Sequence, residues 1–375
     1  MVLVEGSTPL RLADVLVSCH LAMGGRENPL ELSGVTKAAV LVVDGLGAEN
    51  LRERAGHARW LMGAWSARGL SADSGFPSTT ASALTSLTTG VSAGEHGIVG
   101  YTIRDPASRQ MVNHLKQWQP TVDPDSWQRS ATVFERALES GIPSLALGEP
   151  RFTGSDFTRA TWRGAQFVGV GSLAEQGVKM REFFDHNDRG LAYLYWPALD
   201  RTGHGSGVSS DAWIHRLEEL DSELEKLHQL LKPDEGLIVT SDHGMIDIPS
   251  EHKLILAESS PLLTGVIGWA GEPRAPQLYF DDTVARDDAK DVWSESLGSA
   301  ARIMTREQII DEEWMGPVHQ DVRERLGDLV IACVESLVVY RESISSPTAM
   351  AMVGQHGSLT SREREIPIIP LGAWA

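Results

Sequence analysis

Seven side chains in this sequence have the chemistry to bind divalent cations or to act as a nucleophile. Three are carboxylates, three are imidazoles and one is a hydroxyl, and nearly all follow an apolar run or lie in a glycine-rich turn. In chain order they are Asp44, Thr80, Asp200, His204, Asp242, His243 and His356. Mixed carboxylate and imidazole donors suit zinc or manganese, and this number of donors is enough for two metal ions beside an activated hydroxyl.

Thr80 lies in a run of small residues that begins after Pro77 and ends at Gly90. A proline followed by Ser78, Thr79 and Thr80 predicts a loop that enters a short helix, with the hydroxyls in its first turn. The free backbone N–H groups and the positive end of the helix dipole suit an alkoxide and an incoming phosphate or sulfate oxygen. An ordinary N-cap before a helix packed on a sheet would produce the same local pattern.

Apolar runs that are typical of buried parallel strands precede Asp44, Asp200 and Asp242. These runs cover residues 38–43, 191–196 and 236–241. Continuous apolar character predicts strands buried on both faces, and ligands of open α/β sheets bind beyond the carboxyl ends of such strands. The pattern therefore predicts an α/β fold with a doubly wound, mostly parallel sheet flanked by helices and with the site at its carboxyl edge. Asp44 could instead cap the helix predicted from about Ala48.

The pattern changes between residues 249 and 340, where short strands and helices alternate. We predict a smaller α+β insertion at 249–340, forming a lid or cap subdomain that shapes substrate choice. Residues 1–248 and 341–375 would then form the catalytic domain. Residues 102–130 are rich in Trp, Gln and Pro, and we predict that they form a long loop over the rim of the site.

Composition limits the classes of partner. The 375 residues include 33 Lys and Arg against 51 Asp and Glu, a formal net charge of −18, which argues against a nucleic-acid polymer or an anionic membrane as the main partner. Cys19 and Cys333 are far apart in sequence, so no disulfide framework is predicted. The start of the chain lacks the features of a secretory leader, and no long apolar run occurs. We therefore predict a cytoplasmic protein without a membrane span.

Other histidines and cations receive weaker assignments. His96, His215 and His228 are interpreted as structural residues rather than ligands. Six cations in the loop-rich region after Thr80 could form a positive rim, although scattered surface cations would look the same. They are Arg104, Arg109, Lys116, Arg151, Arg159 and Arg163.

Taken together, the motifs resemble the alkaline phosphatase superfamily, and more closely its nucleotide pyrophosphatase/phosphodiesterase branch. They occur in the family's order over about residues 38 to 360, and five short motifs in register are far more specific than any one of them. They are Val43-Asp44-Gly45, Phe76-Pro77-Ser78-Thr79-Thr80 with Glu95-His96-Gly97-Ile98, Asp200-x-x-Gly-His204, Ser241-Asp242-His243-Gly244 and Gly354-x-His356-Gly357.

The resemblance implies an alkaline phosphatase-like fold and a role for each of the seven residues. Thr80 would be the nucleophile of a phosphodiesterase or pyrophosphatase that forms a covalent phospho-threonine. Asp44, Asp242 and His243 would hold the metal ion that activates Thr80. The second ion would be held by Asp200, His204 and His356. We expect zinc in both positions, with manganese as the alternative, and a small phosphorylated substrate such as a nucleotide.

Alternatives within and outside the superfamily remain open. The resemblance implies an asparagine donor soon after the nucleophile, a position that we assign to Ala83, so a preference for diesters does not follow directly. A phosphomonoesterase or phosphonate hydrolase would use the same seven residues. A sulfatase is disfavoured because Thr80 stands where such enzymes need Cys or Ser. A catalytically silent metal-binding domain would not require all seven groups.

Overall fold

A computed structural model describes residues 9–375 of the chain, so the first residues, on which the prediction about a leader rests, lie outside the described part. The strands of the described part are β1 (Lys37–Val43), β2 (Leu70–Asp73), β3 (Thr102–Arg104), β4 (Met111–Asn113), β5 (Ser144–Gly148), β6 (Gln166–Gly169), β7 (Gly190–Trp196), β8 (Glu235–Thr240), β9 (Ile246–Asp247), β10 (Lys253–Leu256), β11 (Val266–Glu272), β12 (Ala275–Phe280), β13 (Ala301–Thr305), β14 (Leu329–Cys333), β15 (Val338–Arg341), β16 (Gly354–Gln355) and β17 (Glu365–Gly372).

The α-helices alternate with these strands through most of the chain. They are α1 (Ala13–Met23), α2 (Ala48–Glu53), α3 (Arg59–Arg68), α4 (Thr80–Thr89), α5 (Ala93–His96), α6 (Pro124–Trp127), α7 (Val133–Glu139), α8 (Asp156–Thr161), α9 (Leu173–His186), α10 (Ala198–Ser206), α11 (Asp211–Gln229), α12 (Arg286–Leu297), α13 (Arg306–Asp311), α14 (Gln320–Arg323), α15 (Pro347–Ala351) and α16 (Ser361–Arg364).

A seven-stranded sheet with the order β2-β17-β8-β1-β7-β5-β6 forms the centre of the described chain. Strands β8, β1, β7, β5 and β6 run parallel, whereas β17 is antiparallel to both of its neighbours. Helices cover both faces. The predicted α/β fold with a mostly parallel, doubly wound sheet is confirmed.

Strand β1 shows why the sheet is buried on both faces. Ala38, Val40 and Val42 pack into one apolar cluster, with α1, α4 and α7, because alternate side chains of a strand point to opposite faces. Ala39, Leu41 and Val43 pack into a second cluster, with α2, α3, α9, α10 and α11. Both faces therefore need apolar residues, which explains the continuous apolar run in the sequence.

The register of the strands places the loops that follow β1, β7 and β8 at the same height along the edge of the sheet. Val42 lies opposite Tyr195 of β7 on one side and opposite Thr240 of β8 on the other. The chain leaves each of these parallel strands within one or two residues of this level. Asp44, Asp200 and Asp242 consequently follow adjacent strands at the same edge of the sheet.

Residues 253–341 build a second sheet with its own apolar core. Strands β11, β12, β14 and β13 form an antiparallel four-stranded sheet in that order. Helix α12 covers it through Trp293. The pairing of β9 with β16 places the two ends of this region side by side. The division of the chain at 249–340 remains a prediction about domains.

The structure corrects the predicted long loop at 102–130. Strands β3 and β4 pair as a hairpin, and α6 follows. The indoles of Trp118 and Trp127 are buried, and the Trp127 indole N–H donates to Nε2 of His114 at 3.0 Å. Burial of these large apolar rings holds the segment to the body of the protein, so it is not a free rim loop.

Within residues 9–375, none of the helices is both long enough and apolar enough to cross a lipid bilayer. Helix α11 illustrates the amphipathic alternative. Its buried residues recur every three or four positions, from Trp213 to Leu227, and the side chain of Ser210 accepts the Trp213 backbone N–H at its N-terminus. This helix packs one face on the sheet and exposes the other.

Candidate metal centre

Thr80 is the first residue of α4, as its place after Pro77 predicted. The preceding residue, Thr79, has extended backbone and forms the N-cap, so the first turn of the helix leaves backbone N–H groups near the Thr80 hydroxyl. Thr80 is buried, and its Oγ1 lies 3.2 Å from Nε2 of His243. The hydroxyl therefore faces residues that follow β8, far away in sequence.

His243 is the centre of a first group of ligand atoms. Its Nε2 lies 3.3 Å from Oδ1 of Asp44 and 3.5 Å from Oδ2 of Asp242. The adjacent turns are tied together, because the backbone N–H of Gly45 donates to Oδ1 of Asp242 at 3.2 Å. Gly45 has a φ of 77°, which favours glycine in this turn.

Asp200 is the centre of a second group. Its Oδ1 lies 3.3 Å from Nε2 of His204, one turn further along α10, and 3.8 Å from Nε2 of His356. The rings of His243 and His356 stack with centroids 3.5 Å apart, so the two groups are contiguous. Asp200 also comes close to Asp44 and His243, with ligand atoms within 4.8 Å of one another. All seven predicted residues thus lie in one cluster.

The three imidazoles share one orientation. Nδ1 of each ring bonds a backbone carbonyl: Gly354 for His204 at 2.8 Å, Gly244 for His243 at 3.0 Å and Ser78 for His356 at 2.9 Å. Because a carbonyl can only accept, Nδ1 carries the proton and Nε2 keeps its lone pair, which in His243 accepts the Thr80 hydroxyl. All three lone pairs are directed into the cluster, as metal coordination requires.

Three carboxylate oxygens in the cluster are buried without a donor among the described residues. They are Oδ1 of Asp44, Oδ1 of Asp200 and Oδ2 of Asp242. A buried, unpaired carboxylate is costly, and a cation would remove that cost. These carboxylate oxygens lie beside the unprotonated Nε2 atoms of the three imidazoles, so the donor set fits bound divalent cations.

The electrostatics of the cluster agree with this fit. Burial, reinforced by the nearby charges of Asp242 and Asp200, raises the pKa of Asp44 well above its ordinary value. Burial, followed by repulsion from His243 and His204, lowers the pKa of His356 well below its ordinary value. His356 is therefore neutral near pH 7, the form in which imidazole binds metals.

Tyr195 is a residue of the site that sequence reasoning missed. Its hydroxyl donates to Oδ2 of Asp44, and the side chain is buried. The only signal in the sequence was a polar hydroxyl near the end of an apolar strand that neighbours β1. An outer hydrogen bond of this kind orients a ligating carboxylate.

Replacing Tyr195 with phenylalanine should weaken metal binding about 10- to 100-fold, because Asp44 would lose the donor that orients it. Zinc affinity measured by competition with a chromophoric chelator tests this expectation. Tyr193→Phe is the matched control, since Tyr193 lies in the same strand and its hydroxyl has no partner in the described chain. Equal affinities for the two variants would contradict the role of Tyr195.

Ala83, one turn after Thr80 in α4, has no side-chain donor to offer to a transferred group. Its side chain is buried in the apolar cluster that α1, α4 and α7 form on one face of the central sheet. That the donor implied by the resemblance is missing at Ala83, or is supplied from elsewhere in the chain, stays a prediction.

The remaining histidines and cations divide clearly. His96 is buried and bonds Ser86 and the Ile98 backbone, and the side chain of His215 is largely exposed, so both lie outside the cluster. Arg151 pairs with Glu149, Arg159 with Asp125 and Arg163 with Glu135, which leaves these three cations neutralised. Arg104, Arg109 and Lys116 stay predicted members of a rim.

Glu272, at the end of β11, is a second residue that the sequence did not indicate. Its buried carboxylate accepts the Tyr101 backbone N–H at 2.6 Å. Glu272 also packs closely on Gly357, because a Cβ on residue 357 would lie only 2.9 Å from the Glu272 Cβ. Burial, opposed by hydrogen bonds from the Tyr101 backbone and the Thr79 hydroxyl, raises the Glu272 pKa to about 7.

Replacing Glu272 with glutamine should stabilise the protein above pH 7. The folded pKa of about 7 exceeds the ordinary value of 4.5, so this carboxyl favours folding less as pH rises from 4.5 through 7. The free energy of unfolding should exceed that of wild type by roughly 3 kcal/mol above pH 7, and by little near pH 4.5. Urea unfolding across this range measures it, with the exposed Glu295→Gln as control. A pH-independent difference would contradict the expectation.

Comparison with known proteins identifies the family of the chain. Residues 38–359 match the family described as type I phosphodiesterase / nucleotide pyrophosphatase. Human ectonucleotide pyrophosphatase/phosphodiesterase family member 5 is 28% identical over 177 residues, which cover 45% of this chain and 36% of the relative. An uncharacterized pyrophosphatase/phosphodiesterase of Schizosaccharomyces pombe is 26% identical over 203 residues, covering 51% and 41%. The alignments thus span less than half of each relative.

Solved structures share the fold at low identity. Murine ectonucleotide pyrophosphatase / phosphodiesterase 5, in an inactive form in complex with AMP, has a TM-score of 0.69 at 18% identity over 90% of this chain and 88% of that one. Phosphonoacetate hydrolase from Sinorhizobium meliloti 1021, in complex with phosphonoacetate, has a TM-score of 0.67 at 17% identity over 90% and 91%. At these identities the likeness concerns the fold alone.

Proposed function

The chain belongs to the type I phosphodiesterase / nucleotide pyrophosphatase family, and from this premise we propose that it is a metal-dependent hydrolase of phosphodiester or pyrophosphate bonds. The observation that carries the proposal is the convergence of Thr80 with three unprotonated Nε2 atoms and with three carboxylate oxygens that have no donor among residues 9–375. A phosphoryl-transfer site needs a nucleophile held among such ligands.

Two groups of ligands support a centre for two cations. Thr80 would join Asp44, Asp242 and His243 around one ion. The other ion would be held by Asp200, His204 and His356. When bound, divalent cations supply Lewis-acid chemistry, which lowers the pKa of a contacting hydroxyl and offsets charge on phosphoryl oxygens. Mixed imidazole and carboxylate donors favour zinc, and manganese accepts the same ligands.

The proposed reaction has two steps. Oγ1 of Thr80 attacks phosphorus, forming the Oγ1–P bond while the bond from phosphorus to the leaving oxygen breaks, and the Thr80 proton leaves with that oxygen. Water then attacks the same phosphorus, the Oγ1–P bond breaks, and a proton of that water passes to Oγ1, which restores the hydroxyl. The N-terminal turn of α4 presents backbone N–H groups beside Oγ1, where they can stabilise charge on the transferring group.

For the substrate, we propose a small phosphorylated molecule, with a nucleotide as the first candidate. The murine relative was solved with AMP, and the family description names nucleotide pyrophosphatases. A phosphomonoesterase or phosphonate hydrolase is the second candidate, because phosphonoacetate hydrolase shares the fold. The region of residues 249–340 would act as the lid that distinguishes these substrates, since it contributes Glu272 next to the nucleophile turn.

A cytoplasmic location remains a prediction. It rests on the two cysteines, which are both free and buried, and on the acidic composition. Fractionation of cells that express the tagged full chain tests it, and recovery outside the cytoplasm would contradict it.

The decisive experiment for the reaction is a panel of aryl phosphomonoesters, phosphodiesters, phosphonates and sulfate esters, with dinucleotide and nucleotide pyrophosphate substrates. Initial rates are compared for wild type and for Thr80→Ala. A preference for diesters or pyrophosphates that disappears in the variant supports the proposal. A clear preference for monoesters or phosphonates would favour the second candidate, and absence of turnover of every ester would contradict both.

A further inference from the structure

A fully buried ion pair joins the second sheet to the loops that carry the ligands. Arg274, in the turn between β11 and β12, forms a two-pronged pair with Glu363 of α16, and both side chains are inaccessible to solvent. Nε donates to Oε1 at 2.7 Å and Nη2 donates to Oε2 at 2.8 Å. None of the seven proposed catalytic and metal-binding residues belongs to this pair.

Every hydrogen-bonding position of the two groups is filled. The remaining three guanidinium N–H groups donate to the carbonyls of Glu335, Leu337 and Cys333 at 2.8, 2.8 and 3.1 Å. The carboxylate of Glu363 also accepts the Ser358 backbone N–H at 3.0 Å and the Thr360 hydroxyl at 2.6 Å. Because every donor and acceptor of the pair has a partner, displacement of either side chain would leave a buried charge unpaired, and both side chains are therefore held rigidly.

One side of the pair holds the loop that contains His356. Ser358, bonded to Glu363, accepts a hydrogen bond from the Ser78 hydroxyl at 2.8 Å, and the same hydroxyl accepts the Gly357 N–H at 3.2 Å. The Ser78 carbonyl in turn bonds Nδ1 of His356 at 2.9 Å. Glu363 is thus connected, through Ser358 and Ser78, to the atom that sets the orientation of the His356 ring.

The other side holds the turn that contains His243. The backbone carbonyl of Glu363 accepts the Gly244 N–H at 2.8 Å. Gly244 is also packed so closely on the carbonyl of Arg362 that a Cβ would lie 2.0 Å from that oxygen. Because the Gly244 carbonyl bonds Nδ1 of His243, displacement of this turn would reorient a second imidazole.

We propose that Arg274 and Glu363 form a positioning pair, through which the second sheet holds the His356 loop and the His243 turn in the geometry that binds cations. The inference rests on the proposed function in one respect, namely that the site binds divalent metal ions. It assigns to the region of residues 249–340 a role in metal affinity in addition to its predicted role as a lid.

The test measures zinc affinity by competition with a chromophoric chelator, without reference to activity. Glu363→Gln should weaken zinc binding about 10- to 100-fold, the range found when outer partners of metal ligands are lost. The glutamine amide has a single accepting oxygen, so one Arg274 N–H loses its acceptor in either orientation of the amide, and the Ser358 N–H loses its acceptor as well when the NH2 group stands at the Oε1 position.

Glu235→Gln is the matched control. Glu235 forms a similar two-pronged pair with Arg181, at 2.5 and 2.8 Å, but it lies at the start of β8, at the opposite end from Asp242. This variant should lose stability and keep the zinc affinity of wild type. If Glu363→Gln binds zinc as tightly as Glu235→Gln, the proposed positioning role is wrong.

A second variant separates positioning from folding. The double change Arg274→Met and Glu363→Leu removes both charges together, which leaves no unpaired buried charge and often preserves a fold. Weakened zinc binding by the folded double variant would support the inference, and unchanged binding would overturn it. If wild type itself binds no zinc or manganese tightly, the proposed metal-dependent function fails instead, so the two failures are distinguishable.

Discussion

Replacing Thr80 with valine is expected to lower kcat/KM at least about 10⁴-fold, a loss of roughly 5.5 kcal/mol of transition-state stabilisation. Valine has nearly the shape of threonine but cannot form a bond to phosphorus. Thr80 is buried at the start of α4 with its Oγ1 3.2 Å from His243 Nε2, so the variant loses the hydroxyl that faces the cluster. Steady-state kinetics on the preferred substrate of the panel measures the loss.

Two companion variants identify the cause of that loss. Thr80→Ser keeps a hydroxyl and should retain measurable turnover with a covalent adduct on residue 80, which rapid acid quenching and mass spectrometry would detect. Thr85→Val is the matched control, because the Thr85 hydroxyl bonds the Ala81 carbonyl within the same helix at 2.7 Å and faces no ligand group. Wild-type turnover by Thr80→Val would exclude Thr80 as the nucleophile.

Removal of divalent cations is expected to abolish hydrolysis, and zinc should restore it. It should also destabilise the fold, because Asp44, Asp200 and Asp242 would then hold buried oxygens without partners. At cation concentrations about 1,000-fold above the dissociation constant, binding contributes roughly 4 kcal/mol to the free energy of unfolding. Activity assays and thermal unfolding before and after chelation, with metal content measured in parallel, test both effects.

Single histidine variants test the arrangement of the ions. His204→Ala should reduce the metal content from two ions per chain to about one, because His204 belongs only to the group around Asp200. His215→Ala removes an exposed imidazole from α11 and should leave the content unchanged. Hydrolysis by protein that is demonstrably free of metal would contradict the mechanism, whatever the outcome for the variants.

The sequence indicated the central sheet and the ligand set because both depend on local patterns. A strand buried on two faces must be apolar at every position, as β1 is, and such a run is visible without tertiary information. The polar residue that ends each run then marks the edge of the sheet where ligands collect. The five short motifs, taken in order, identified the family without any structure.

Sequence patterns gave wrong predictions where the packing of a segment depends on residues far away in the chain. Residues 102–130 appeared to be a loop because Pro, Gln and Trp lack periodicity, yet the indoles of Trp118 and Trp127 are buried against neighbouring elements. The burial of Ala83, one turn after Thr80, likewise depends on an apolar cluster built by elements far apart in the chain. In both cases, tertiary packing decided which way a side chain points.

The sequence by itself thus determined the family, the sheet and the identity of the residues proposed to bind metal. Only the tertiary structure decided how these groups are oriented, because orientation depends on hydrogen bonds between residues far apart in the chain. The Ser78 carbonyl sets the His356 ring, Tyr195 orients Asp44, and Arg274 reaches Glu363 from another sheet. No local periodicity records such contacts, since each forms only after the separate elements have packed together.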